Sequence, residues 1–179
     1  MGQVLFGLLL VLSSFSLWAE EPLQPIPSLN VQRYMGSWYE IAKYPNFFQR
    51  KCASNTKAQY SAQDDGTVGV DNSCKKEDGG VIDAIGQARQ ISDANSAKLE
   101  VRFAPAWLSF LPFVWGNYWV IDIDPDYQLV AVSEPKRDYL WILARTPNVS
   151  AKAYDDLVAR LGKRGFDLTK LEKSKQTKP

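Results

Sequence analysis

Gly36-Ser37-Trp38-Tyr39-Glu40-Ile41-Ala42-Lys43-Tyr44 decides the fold. A tryptophan is costly to leave in water and is rarely buried whole. One set just after a glycine turn, at the head of a strand-like run, reads as a plug, here the floor of a barrel. Taken alone, the pattern also fits an ordinary core tryptophan on an edge strand. The downstream sequence separates the two: as far as Arg145, short alternating runs are divided by turn signals, as in an antiparallel all-β domain. About eight strands can be counted, over 38–44, 56–62, 67–73, 81–91, 98–103, 117–123, 128–133 and 139–145, the number at which a closed barrel can hold one small ligand. Asp65-Gly66 marks a hairpin between the second and third.

Upstream, the unbroken apolar run from Val4 to Leu12 ends in small residues through Ala19, before Glu20-Glu21-Pro22. A membrane span needs about 20 apolar residues. This shorter run therefore reads as a signal peptide over 1–19, leaving an exported protein; its lack of an N-terminal Lys or Arg leaves an uncleaved anchor as the alternative. No cysteine precedes Cys52, so a lipid-modified cysteine is not expected. Residues 20–30, with their prolines, read as an extended segment, and Val31 to Met35 as one helical turn. Downstream, Ser150 caps a helix whose Tyr154, Leu157, Val158 and Leu161 fall at i, i+3, i+4 and i+7. A single apolar stripe predicts a helix docked outside the barrel. Gly162 or Gly165 ends it, Phe166 and Leu168 suggest a last short strand, and 171–179 reads as a disordered tail. Residues 31–170 thus make one domain of barrel plus helix.

Lys plus Arg number 21 against 20 Asp plus Glu, a net charge of +1, which gives nucleic acid no footing. There is no histidine. That removes the commonest general base and metal ligand and any Ser-His or Cys-His nucleophile. No catalytic residue, cofactor or metal is expected. Cys52 and Cys74 are the only cysteines, and in an exported chain an even count points to a disulfide. Closing that loop is worth roughly 3 kcal/mol in the chain-entropy model. The alternative is a nucleophilic thiol beside Lys51 or Lys75.

Three regions carry a resemblance. Gly36-Ser37-Trp38-Tyr39, then Asp124-Pro125-Asp126-Tyr127 in a late turn, then Arg145 at the end of the last strand resemble the signature regions of the lipocalin family. The middle one keeps only the acid and the tyrosine. Together with Asp64-Asp65-Gly66 and the run from Arg137 to Pro147, they are most similar to bacterial outer-membrane lipocalins, with apolipoprotein D a more distant relative. The resemblance implies an eight-stranded up-and-down antiparallel β-barrel, the lipocalin calyx, with its C-terminal α-helix outside. It implies a periplasmic or outer-membrane-associated protein, here without the lipoprotein cysteine. It also implies that Arg145 lies across Trp38 at the closed floor, a cation-π contact of roughly 1 kcal/mol or more.

With Trp38 inward, strict alternation puts Glu40 and Ala42 inside as well. Glu40, assigned to the floor, must be hydrogen-bonded, paired with a cation such as Arg145, or neutral. The same alternation lines the lumen with Ala58 and Tyr60, then Val68 and Val70. Strand four contributes Ile82, Ala84, Gly86 and Ala88, and strand five Leu99, Val101 and Phe103. Tyr118 and Val120, then Tyr139, Trp141 and Leu143, complete the wall. Large residues opposite small ones suit a hydrophobic ligand, with the Tyr118 and Tyr139 hydroxyls orienting its head group. A barrel filled by its own side chains is the alternative.

The loops after strands one, three, five and seven surround the mouth. Phe47 and Phe48 stand on the first, and Trp107, Phe110 and Phe113 on the unusually apolar loop 104–115. Such a patch demands a membrane surface, a second subunit in a homodimer, or a lid folded over the cavity. Arg50, Lys51, Lys136 and Arg137 are placed to meet an anionic head group. The expected function is binding, and storage or transport, of fatty acids or lysophospholipids for envelope maintenance. The alternatives are an enzyme on the same fold, using Glu40 or a free cysteine, and a protein-interaction module with a closed barrel.

Overall fold

A computed structural model describes residues 21–177; the signal peptide expected over 1–19 lies outside them. After a one-turn helix α1 (Val31–Tyr34) come strands β1 (Gly36–Lys43), β2 (Ser54–Ala62), β3 (Val68–Lys75), β4 (Val81–Gln90), β5 (Lys98–Arg102), β6 (Gly116–Ile123), β7 (Leu129–Ser133) and β8 (Leu140–Ala144). Helix α2 (Ala151–Lys163) and a short β9 (Glu172–Lys173) follow. Each strand from β1 to β7 pairs antiparallel with its successor, and β1 also pairs with β8. The sheet is therefore a closed eight-stranded barrel, as the alternation predicts.

Two hydrophobic clusters lie on opposite faces of this wall. Trp38, Tyr60, Val70, Leu99, Val120 and Leu143 are among the residues that gather inside it. Ile121, Ala131, Ile142 and Ala144 pack outside, against Leu157 and Leu161 of α2. The helix stripe thus docks on the outer face. Ser150 Oγ caps α2 by accepting from Ala153 N at 3.2 Å. At the other end Gly165 takes φ 84°, and Phe166 N donates to Leu161 O, closing the helix as a Schellman motif. Arg160 holds both carboxylate oxygens of Asp122 on β6 at 2.8 Å.

Three expectations need correction. Ala42 does not face the lumen: the β1–β8 register shifts between Glu40 and Ala42, and Ala42 joins the outer cluster, because one extra residue in a strand inverts the alternation beyond it. Phe166 and Leu168 form no strand. Phe166 fills the outer core, Leu168 opens a 3-10 turn, and the strand falls at Glu172–Lys173. Nor is the tail free as far as Thr177. β9 pairs with Ala42 and Lys43, Ser174 N donates to Ile41 O at 2.9 Å, and Gln176 Nε2 bridges Glu40 O and Thr56 O at 2.8 and 2.9 Å. This segment fills the gap that opens between β1 and β2 above Tyr39, where β2 leaves its register near Asn55. Cys52 and Cys74 form a disulfide, tying the first open-end loop to β3. No helix among the described residues is long and apolar enough to cross a membrane.

Candidate ligand-binding site

The closed end is built by the three signature regions. Trp38 is fully buried, its Nε1 donating to Tyr34 O at 2.8 Å, and the Arg145 guanidinium carbon sits 3.9 Å from the ring centroid. Arg145 donates to the backbone carbonyls of Tyr127, Ser37 and Arg33 at 3.2, 3.0 and 2.6 Å. Gly36, at φ 97°, leaves room for that side chain: a Cβ there would lie 3.3 Å from an Arg145 nitrogen. Asp124 accepts from the backbone of Asp126, Gln128 and Leu129, shaping the turn that presents Tyr127.

Above this floor the wall changes character. Ala58, Tyr60, Ala88 and Val120 are buried in the inner cluster, with Val101, Tyr118 and Trp141 partly buried against it. Gly86 and Tyr139 are half-buried and Ala84 is exposed, so the inner wall is shielded at its base and open to solvent toward the mouth. Phe103 is 46% exposed, and its ring occupies the space of Gly86's missing side chain: an added Cβ there would lie 2.7 Å from it. Part of the room expected opposite strand four is thus filled from within.

The rim is aromatic. Trp141 and Tyr139 stack with centroids 5.7 Å apart, Tyr139 meets Phe48 at 5.7 Å, and Phe48 meets Phe47 at 4.1 Å, a continuous path from lumen wall to loop. Trp107, Phe110 and Phe113 are 72, 75 and 80% exposed, so loop 104–115 does not fold back as a lid. At its root, the Trp115 ring lies 4.0 Å from the Arg89 guanidinium carbon. A shallow groove of about 310 Å³ beside the mouth is lined by Arg50, Lys51 and Lys76, with Glu77 and Asp78. Arg137 does not join these cations. Its guanidinium donates to Arg164 O and Glu21 O on the helix side, because Arg137 takes a left-handed turn at φ 61°.

Glu40 does not belong to the floor and does not pair with Arg145. Two residues up a rising strand, its carboxylate accepts from Gln49 Nε2 of the first mouth loop and from Ser174 Oγ, both at 2.5 Å. Gln49 Oε1 in turn accepts from Trp141 Nε1 at 3.0 Å. The side chain is 2% exposed, and burial raises the carboxyl above its ordinary 4.5, outweighing the two hydrogen bonds and nearby Lys43. A carboxyl raised on folding binds its proton more tightly in the native state, so its stabilising contribution is full below 4.5 and is lost as pH rises through the folded value. The loss is about 1.4 kcal/mol per tenfold rise in proton affinity. Glu40→Gln is expected to flatten this fall and to equal or exceed wild-type stability at pH 8. Urea melts from pH 4 to 8 check it, and an unchanged slope refutes it.

Gln49, Ser174, Tyr34 and Asn72 were beyond the sequence reading. Asn72 continues the inward alternation of Val68 and Val70, so a signal existed for it; it pairs across to Ala58 and Ala84, and its Oδ1 is buried without a hydrogen-bond partner. Among the described residues no cluster of potential metal ligands occurs.

Residues 29–176 match the family model described as a lipocalin-like domain. The chain is 40% identical over 161 residues to temperature-induced lipocalin-1 of Arabidopsis thaliana, covering 88% of this chain and 85% of that protein. It is 37% identical over 146 residues to the outer membrane lipoprotein Blc of Escherichia coli, covering 81% and 78%. Insecticyanin from the tobacco hornworm Manduca sexta shares the fold at a TM-score of 0.67 and 19% identity, over 87% of this chain and 85% of that one.

Proposed function

The chain belongs to the lipocalin family, and from that premise we propose that it takes fatty acids or lysophospholipids into its barrel, storing or carrying them for cell-envelope maintenance. The observation that carries this reading is the unbroken aromatic path from Trp141 through Tyr139 and Phe48 to Phe47. A hydrocarbon chain leaving a membrane would meet apolar surface the whole way. Ala58, Tyr60, Ala84, Gly86, Ala88, Val101, Phe103, Tyr118 and Val120 supply the remaining contacts. The rim docks on the lipid surface through Trp107, Phe110 and Phe113, with Arg50 and Lys51 against anionic head groups. The protein works outside the cytoplasm, in the periplasm or at the outer membrane.

Burying one large apolar side chain is worth about 1.5–3 kcal/mol. Trp107→Ser with Phe110→Ser is therefore expected to weaken partition onto anionic vesicles by roughly tenfold or more. Vesicle flotation and size-exclusion chromatography are the checks. Unchanged flotation removes the membrane contact, and a loss of dimer in its place assigns the patch to a second subunit. Native mass spectrometry tests the cargo: a barrel that takes up neither fatty acid nor lysophospholipid refutes the reading. Enzymatic use of the site finds little to work with, because both thiols are spent in the disulfide and Glu40 is buried with its carboxylate held by Gln49 and Ser174.

A further inference from the structure

Three phenols meet inside the base of the barrel. Tyr34 comes from α1, Tyr60 from β2 and Tyr118 from β6. The Tyr34 and Tyr118 oxygens lie 2.7 Å apart, and those of Tyr60 and Tyr118 2.9 Å; these hydroxyls make no other hydrogen bond to the described residues. Each hydroxyl has one proton to give. Two contacts use two of the three protons, so in every arrangement one O–H is left over. Tyr34 and Tyr60 are 2 and 7% exposed, while Tyr118 is half-buried. When both shielded phenols donate to Tyr118, the remaining proton sits on the one hydroxyl of the three whose side chain is most open. Accepting two hydrogen bonds also polarises that O–H and strengthens it as a donor. Burial holds the trio protonated, Tyr60 being pushed up to about 12 and the other two well above 10.

We propose that Tyr118 is a ligand-anchoring donor at the base of the lumen, and that the deepest-inserted end of the ligand carries an oxygen acceptor, a hydroxyl or carbonyl, rather than a bare methyl. The inference rests on the lipid-binding reading above and narrows it to a fatty acid entering carboxyl first, because a lysophospholipid keeps its head group at the mouth and leaves a methyl at the base. An amphiphile inserted oxygen first leaves its hydrocarbon along Trp141, Tyr139 and Phe48, where the wall is aromatic.

The test uses 1-dodecanol and dodecane, which differ by one oxygen, titrated against the purified protein by tryptophan fluorescence. Tyr118→Phe is expected to weaken dodecanol about tenfold, the affinity equivalent of one hydrogen bond, and to leave dodecane within about twofold. Tyr60→Phe removes one donor onto Tyr118 while keeping its hydroxyl. It should weaken dodecanol about threefold, and it keeps the question open to measurement if Tyr118→Phe does not fold. Equal losses for both probes, or none for either, overturn the anchoring role while leaving lipid binding intact. Failure of both probes to bind the wild type removes the lipid-binding reading itself.

Discussion

Trp38→Ala is expected to destabilise the protein by about 4 kcal/mol, the upper range for truncating a large buried side chain. The ring is 0% exposed, so its loss opens a cavity where strands and helix α1 converge. The deletion also strips the Arg145 guanidinium of the aromatic face it covers and removes the donor that holds Tyr34 O. Trp38→Phe keeps most of the burial and loses the indole N–H, which should cost about 1 kcal/mol. Chemical denaturation of the two variants separates the terms. Equal, small losses would mean that the closed end holds without its plug. A Trp38→Ala protein as stable as wild type would refute the account of the floor.

Deleting residues 172–179 should destabilise the protein by about 3 kcal/mol, several net hydrogen bonds at about 1 kcal/mol each less the ordering entropy the segment no longer loses. The bonds at stake include Ser174 to Ile41 and Glu40, Gln176 to Glu40 and Thr56, and Asn55 to Lys175 and Thr177. A second signature distinguishes this from nonspecific damage. Once uncovered, Glu40 becomes hydrated, and the fall in stability with rising pH should shrink, as it does in Glu40→Gln. The bared upper edge of β1 is also a template for pairing with another chain, so the truncated protein should dimerise more readily in a sizing column. A truncated protein that melts like wild type would show that the tail only decorates the seam.

The parts of the fold that were legible are those written in side-chain periodicity. Eight alternating runs and one i, i+3, i+4, i+7 stripe mark the barrel and α2, because burial on one face imposes those periods. Ala42 was misplaced because a bulge leaves no mark in the hydrophobic pattern. The tail was misread because Ser174, Lys175, Gln176 and Thr177 are polar, as in a solvated chain, whereas here backbone and amide groups do the binding. Glu40's true partners, Gln49 and Ser174, lie 9 and 134 residues away, and nothing in strand alternation reaches across such gaps. Tyr34 was read only as part of a helical turn, although its place four residues before Trp38 sets its carbonyl under the indole N–H.

The barrel wall separates two packing layers, one facing the cup and one facing α2. Substitutions on the inner face can therefore change that layer while the helix-side layer goes on anchoring the scaffold. The single glycine beneath the Phe103 ring is where the two layers can be told apart: a side chain added at Gly86 displaces that ring on the inner face and leaves the outer buttress untouched.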